Sequence, residues 1–321
     1  PDDRGIAPSE AGAGRRLVAA VDRYHPALVC MSGPLPICYL NGAYLPLSEA
    51  RVSPFDRAFL FGDAVYEVVP IYGSRLFRLR QHLDRLNRSL SGIRMPPPMS
   101  HGEWADVAQQ LISRNSADQG HLYVQVSRGA EFGRNHAWPE GLKPTLFAYC
   151  TELDPLPDAL LEKGVAAVTA TETRWARRDI KATSLLANIL LKKLSADAGA
   201  FETIMLENGQ LTEGSSTTVH VVKNGAIQTP PNSHHILPGT TRDVITELAD
   251  LLSVRNASAA VSESALRGAD EIWLAFSTRG VLPVTKLDGV PVGNGLPGPL
   301  FKRIHLAFTD YIRELAETPA L

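Results

Sequence analysis

An α/β chain of the α+β kind, in two parts, is predicted by three observations on this sequence. Strand-like and helix-like runs alternate along its whole length, which is the pattern of mixed layers around a common core. Asn41-Gly42, Asn208-Gly209, Asn224-Gly225 and Asp288-Gly289 each stand beside β-like runs, and such pairs supply the positive φ angles of tight turns. Between residues 151 and 157 a short polar span carries Pro155 and Pro157 and reads as a linker. A chain of 321 residues has room for two medium domains. The expected division is an extension over residues 1–30, a smaller α+β domain over 31–153 and a larger domain over 154–321. A ligand site is expected at the junction of the two lobes.

Taken in order, residues 37–40 and 43–45 flank Asn41-Gly42 as a hairpin with a type I′ turn, and residues 46–54 lead onward. Residues 65–69 alternate weakly as a strand, and Tyr72-Gly73 turns the chain into a second strand at 75–79. Over residues 81–93, Leu83, Leu86 and Leu90 recur at helical spacing until Pro96-Pro97-Pro98 ends the run. A second helix, 102–115, carries Trp104, Val107 and Leu111 on one stripe. Strands at 121–128 and 145–150 flank a loop rich in glycine, proline and asparagine. Beyond the linker the pattern predicts strands at 164–173, 202–206, 217–222, 226–229, 271–276 and 281–285. Helices are expected at 184–198, 241–252 and 300–314.

Composition narrows the function. Hydrophobic residues make up 44% and charged residues 21%, as in ordinary soluble globular chains. A net charge of -2 gives no electrostatic footprint for nucleic acid or an anionic membrane, and no apolar run is long enough to span a bilayer. Cys30, Cys38 and Cys150 are odd in number and far apart, which argues against a disulfide framework and for a reducing, cytoplasmic setting. No HExxH or Cys/His cluster points to a metal, and His234-His235 reads as a loop. Met31 precedes the first clear strand and is expected to mark the start of the ordered enzyme. The other reading of the preceding stretch is a modest helix at 14–23 packed on the body.

Four loops and one lysine can carry chemistry. Lys181 stands in Arg177-Arg178-Asp179-Ile180-Lys181, just before an apolar helical run; a lysine serves as a nucleophile only where desolvation or nearby cations free its amine. Arg85, on the helix after a hairpin, can grip a phosphate with its planar fork, although a solvated helix charge is the commoner use. Thr212-Glu213-Gly214-Ser215-Ser216 can present backbone and hydroxyl groups to an anion, or can be a polar turn. Leu237-Pro238-Gly239-Thr240-Thr241-Arg242 opens a helix, whose free N–H groups suit an anion or need only an ordinary cap. Arg134 and His136, in a glycine-containing loop, can bind a carboxylate or simply be solvated. No GxGxxG follows a strand, and neither a P-loop lysine nor a GxSxG is present.

In this order and combination the motifs resemble the fold-type IV pyridoxal-phosphate enzymes, the class of the D-amino acid and branched-chain aminotransferases. The resemblance runs from about Tyr39 to the C-terminus and rests on Arg178-Asp179-Ile180-Lys181, Leu211-Thr212-Glu213-Gly214-Ser215-Ser216 and Leu237-Pro238-Gly239-Thr240-Thr241-Arg242. It implies a small α+β domain, a larger cofactor-binding pseudo-barrel domain, and pyridoxal 5′-phosphate as cofactor. Lys181 resembles the Schiff-base lysine, and Glu213 the carboxylate at the pyridine nitrogen. Arg85, Ser216, Thr240 and Thr241 resemble phosphate ligands, as does the small hydroxylated loop at Ser277. Leu237 resembles the residue on the ring face, and Arg174 a support for Glu213. Residues 59–68 have the look of the D-amino acid subgroup and lack the Phe-Glu-Gly pattern of branched-chain enzymes. Tyr66, Arg134 and His136 match that subgroup's carboxylate trap. The expected activity is transfer of an amino group from a D-alanine-like D-amino acid to a 2-keto acid, in a ping-pong cycle and in a homodimer. An (R)-selective amine transaminase, a branched-chain aminotransferase and an aminodeoxychorismate lyase share the cofactor; a non-catalytic binding protein is a remoter possibility. Arg279 departs from the resemblance and, if it faced the pocket, would favour acidic side chains.

Overall fold

The computed structural model describes residues 33–153 and 156–317; the expected extension, the helix at 14–23 and Met31 lie outside the described residues. A six-stranded antiparallel sheet comes first. It comprises β1 (Pro34–Leu40), β2 (Ala43–Pro46), β3 (Ala64–Tyr72), β4 (Arg75–Leu76), β5 (Gln119–Ser127) and β6 (Thr145–Glu152), ordered β2-β1-β6-β5-β3-β4. The first hairpin forms as expected, with φ of 50° at Asn41 and 97° at Gly42. A short helix, α1 (Arg57–Phe61), precedes β3; α2 (Leu79–Gly92) and α3 (His101–Asn115) cover one face of the sheet. Leu83, Leu86 and Leu90 of α2 bury against Val65 and Val69 of β3 and Leu122, Val124 and Val126 of β5. Each such side chain contributes about 2 kcal/mol of burial. The Ser100 hydroxyl and the Glu103 carboxylate close a capping box at the start of α3.

The second sheet has nine strands: β7 (Val165–Thr171), β8 (Glu202–Glu207), β9 (Gln210–Gly214), β10 (Thr218–Lys223), β11 (Ala226–Thr229), β12 (Asn256–Ser258), β13 (Glu271–Phe276), β14 (Gly280–Leu287) and β15 (Val290–Pro291). Their order is β12-β11-β10-β13-β14-β7-β8-β9, with β15 on β14. Gly214 N donates to Thr217 O at 2.7 Å, so the last strand of the order curls in against the start of β10 and gives a pseudo-barrel. Helices α4 (Asp158–Lys163), α5 (Leu186–Asp197), α6 (Thr240–Leu251), α7 (Glu263–Arg267) and α8 (Pro299–Glu317) surround it. Among the described residues no helix is long and apolar enough to cross a membrane.

Three differences from the sequence reading have physical causes. The strand expected at 75–79 stops at Leu76, because Phe77 leaves it to enter the core formed by α6, α8 and β13. The ring meets Phe308 and Tyr311 edge-on, at 6.1 and 5.6 Å. The helix expected from 184 starts at Leu186, because Thr183 N bonds Ala64 O and Ser184 Oγ bonds Gly62 O, both 3.0 Å away. Glu213 sits in strand β9 rather than in a loop, since Leu211 pairs with Leu206 and Gly214 with Ile204. The short elements α4, α7 and β12 were not foreseen.

Candidate active site

A cavity of about 310 Å3 opens where the two sheets meet. From the first lobe Tyr66 and Arg85 line it; from the second come Glu213 and Leu237, then Ser216, Thr240, Thr241 and Ser277. Lys181 lies in the segment between β7 and α5, which packs on the first sheet. Its carbonyl accepts from Tyr66 N at 3.0 Å and its amide donates to Ser89 Oγ at 3.1 Å, while Ala182 bridges Val65. The segment is therefore pinned onto β3 and α2, and the Lys181 Nζ is held 4.2 Å from the centre of the Tyr66 ring. Of the neighbouring arginines, Arg177 pairs with Asp179, and Arg178, which also lines the cavity, is buried against Glu207.

Arg85 is buried and meets Glu67 through a two-pronged contact, Nε to Oε1 at 2.7 Å and Nη2 to Oε2 at 2.8 Å. A third N–H goes to Pro238 O at 2.8 Å, which leaves part of the fork's five-donor set for a ligand. Burial opposes charge on Glu67, but Arg85 and His82 outweigh it and hold the carboxyl well below its ordinary value. Burial, against the pull of Glu67, pushes His82 below its ordinary value and so favours the neutral ring at neutral pH. Its Nδ1 must then donate to the acceptor-only Glu67 carboxylate, at 2.7 Å, and Nε2 accepts from the Thr240 hydroxyl at 3.2 Å. Ser277 Oγ stands 3.3 Å from Thr240 Oγ1. One string of bonds thus ties Arg85 to the first turn of α6.

That first turn is an anion site in waiting. Its N-cap, Gly239, offers no side chain to the free N–H groups of Thr240 and Thr241. A Cβ at Gly239 would come within 2.7 Å of Thr218 Oγ1, so any larger residue would have to displace that hydroxyl. The Thr217 hydroxyl is buried and without a partner beside the same cavity. Ser216 lines the cavity with its hydroxyl turned to Glu202 Oε2, 3.2 Å away.

Glu213 sits at the other end. Its Oε2 accepts from Leu237 N at 3.2 Å; its Oε1 is 2.9 Å from Arg174 Nη2 but takes no well-directed hydrogen bond. Burial pushes the carboxyl up to about 7 against the pull of Arg174 and the Leu237 N–H, and nearby Glu172 adds to the rise. A carboxyl raised on folding gives stability that is full below its unfolded value, near 4.5, and is lost as pH rises through the folded value, near 7. The ligand-free protein is therefore expected to lose about 3 kcal/mol across that window relative to Glu213→Gln. Urea unfolding of both proteins as a function of pH measures this, and parallel profiles would remove the claim.

Arg134 and His136 are exposed and do not line the cavity. They pack on Phe61, with the guanidinium carbon 4.9 Å and the tilted imidazole's centre 5.5 Å from its ring centre. Their loop is fixed all the same: Arg57 binds Glu131, the Asn135 carbonyl at 2.7 Å and the His136 carbonyl at 3.1 Å, and shares Asp63 with Arg128. Arg279 does not line the cavity either; together with burial, the larger cause, its charge pushes His121 down to about 4. Sequence reasoning missed Glu67, His82, Glu172 and Thr217. A signal existed for the first two, since Glu67 alternates with Val65 and Val69 in a buried strand while His82 and Arg85 flank the apolar stripe of α2.

Residues 64–287 match the family model described as amino-transferase class IV. A D-alanine aminotransferase of Bacillus licheniformis is 38% identical over 278 residues, covering 87% of this chain and 97% of that one. Among solved structures, a branched-chain amino acid aminotransferase of Escherichia coli superposes with a TM-score of 0.82 at 28% identity, covering 87% of this chain and 95% of that one. Another branched-chain amino acid aminotransferase, from T.th. and solved with pyridoxamine 5′-phosphate, gives 0.80 at 25% identity, covering 88% and 95%. With its lysine, its buried carboxylate and its uncapped helix start around one cavity, and with the family model matched across most of its length, the chain belongs to the class IV aminotransferases.

Proposed function

We propose that this protein is a D-amino acid aminotransferase that uses pyridoxal 5′-phosphate to move an amino group from a D-alanine-like donor to a 2-keto acid. The observation that carries the reading is the meeting of Lys181, Glu213 and the α6 N-terminus around one cavity. The residues fit the cofactor at both ends: Glu213, buried and proton-avid, shares its one nearby guanidinium, Arg174, with Glu172, and the unpartnered Thr217 hydroxyl lies beside the cavity that the uncapped helix turn also lines. Lys181 would hold the cofactor covalently, Glu213 its ring nitrogen and Leu237 its ring face. Arg85, Ser216, Thr217, Thr240, Thr241 and Ser277 would share its phosphate.

When bound, the cofactor supplies a carbonyl carbon for the amine and a ring that accepts the electron pair left at the donor's α-carbon. Lys181 Nζ takes the α-proton from one side of the substrate and, in the return half, delivers a proton to the α-carbon derived from the keto acid. Glu213 holds a proton at the ring nitrogen, and Tyr66 narrows the space in which the lysine amine moves.

The carboxylate trap acts between copies in this reading. Arg134 and His136 lie outside their own cavity, and large apolar side chains are exposed near them in chain order, Phe59 and Phe132, and on α5, Leu186, Ile189 and Leu190. A homodimer covers these side chains and brings that loop to the partner's cavity. On the same reading the chain divides into a smaller domain over 31–153 and a larger one over 154–321, one sheet in each. A cytoplasmic setting suits the buried free thiols of Cys38 and Cys150.

The test is a half-reaction: D-alanine, L-alanine and L-leucine are added separately to the yellow loaded enzyme. Bleaching by D-alanine alone is expected, and bleaching by an L-amino acid in preference sinks the reading in favour of a branched-chain enzyme. Arg134→Ala should lower kcat/KM for D-alanine by about 10²-fold, about 3 kcal/mol as for a charge-assisted contact. It should leave an (R)-amine without a carboxylate within about twofold, and equal losses would remove the trap.

A further inference from the structure

Glu172 follows directly on β7, and its side chain is fully buried. It does not line the cavity, yet it takes most of what Arg174 has to give. Arg174 donates to it from the backbone at 2.8 Å, from Nε at 3.0 Å and from Nη2 at 2.6 Å. Glu213 receives only the off-axis approach of Nη2 at 2.9 Å. Behind Glu172 stands Arg178, with Nη1 at 3.5 Å, and Arg178 is held in turn by Glu207 at 2.8 Å and by the His235 carbonyl at 2.6 Å. Thr212 Oγ1 closes on Glu172 at 3.3 Å. Charges therefore alternate along one row: Glu213, Arg174, Glu172, Arg178, Glu207.

The alternation has a consequence for Glu213. A buried carboxylate with no cation nearby takes up a proton and becomes neutral. One gripped by both prongs of a guanidinium has little affinity left for a further proton donor. Arg174 divided between two acids lies between these limits. We propose that Glu172 is a positioning residue that turns the Arg174 fork away from Glu213 and so leaves Glu213 able to hold the proton at the cofactor's ring nitrogen, an inference that rests on the pyridoxal phosphate reading above. Two effects act in the same direction: the Glu172 charge favours a proton on Glu213, and its lone pairs occupy the donors that would otherwise compete for it.

The test compares two ligands that differ only at the ring nitrogen. Affinity for pyridoxal 5′-phosphate and for its analogue with CH in place of that nitrogen is measured by equilibrium dialysis on cofactor-stripped wild type and on Glu172→Gln and Glu172→Asp. Glu172→Gln is expected to weaken the natural cofactor about tenfold, the equivalent of one pKa unit at the nitrogen, and to leave the carbon analogue within about twofold. Glu172→Asp keeps the charge and is expected to recover most of the loss. Normal binding of the analogue also shows that the variant is folded. Equal losses on both ligands would mean a structural role and overturn the proposal, as would no loss on either, or an aspartate variant as weak as the glutamine one. A wild type that binds neither ligand overturns the cofactor reading itself.

Discussion

Lys181→Ala is expected to lower transamination by at least about 10⁴-fold, the scale set by losing a positioned acid–base group together with covalent catalysis. The structure explains why this should be a chemical loss and not a folding one. The bonds that fix residue 181 come from its backbone, the carbonyl to Tyr66 N and the amide to Ser89 Oγ, and alanine keeps both. What disappears is the amine over the Tyr66 ring. Wild-type protein treated with borohydride should carry the cofactor's mass on the peptide containing Lys181, and the variant should carry none. Turnover within about tenfold of wild type would end the assignment of Lys181 as the catalytic residue.

Glu67→Ala is expected to cost about 3–5 kcal/mol of stability, the usual result of leaving one half of a buried ion pair behind. Glu67 is the shared acceptor of Arg85 and His82, all three being buried. Its loss strands a guanidinium in the wall of the cavity and frees the tautomer of His82, and with it the orientation of the Thr240 hydroxyl. Cofactor affinity should therefore fall with stability. The pH dependence has a definite sign. A carboxyl depressed on folding contributes stability above its unfolded value, near 4.5, and loses it as pH falls through the folded value. The gap between wild type and Glu67→Gln, which keeps shape without charge, should be full at neutral pH and should narrow below about pH 4.5. Urea unfolding at both pH values measures it; a gap below about 1 kcal/mol at pH 7 would show that the pair is not the strut described above.

The elements that were legible in the sequence are those whose signals are local. Asn41-Gly42 specifies its turn because only a few residues accept positive φ in succession. Leu83, Leu86 and Leu90 specify a helix face because the helix repeat leaves no other way to bury them together. Phe77 shows the limit. By spacing it belongs to a strand, but the pull of a core built from residues more than 140 positions later draws it out and starts α2 beyond it. Short elements such as α7 have too few residues to show a period at all.

For the site, the sequence by itself determined which chemical groups are present: a lysine at 181, an acid at 213 and a phosphate-type helix start at 239–241. These are readable because each is a side chain or a backbone ending with its own chemistry. Only the tertiary structure decided how the groups are tuned and where they point. Arg85 faces the cavity because Glu67, on a different element, neutralises the cost of burying it. Glu213 stays proton-avid because burial outweighs the pull of Arg174, a guanidinium that it shares with Glu172 just beyond β7. Arg134 and His136 stand off their own cavity because Arg57 clamps their loop outward against Phe61. Burial and charge pairing are sums over neighbours distant in the chain, and they do not exist until the two sheets meet.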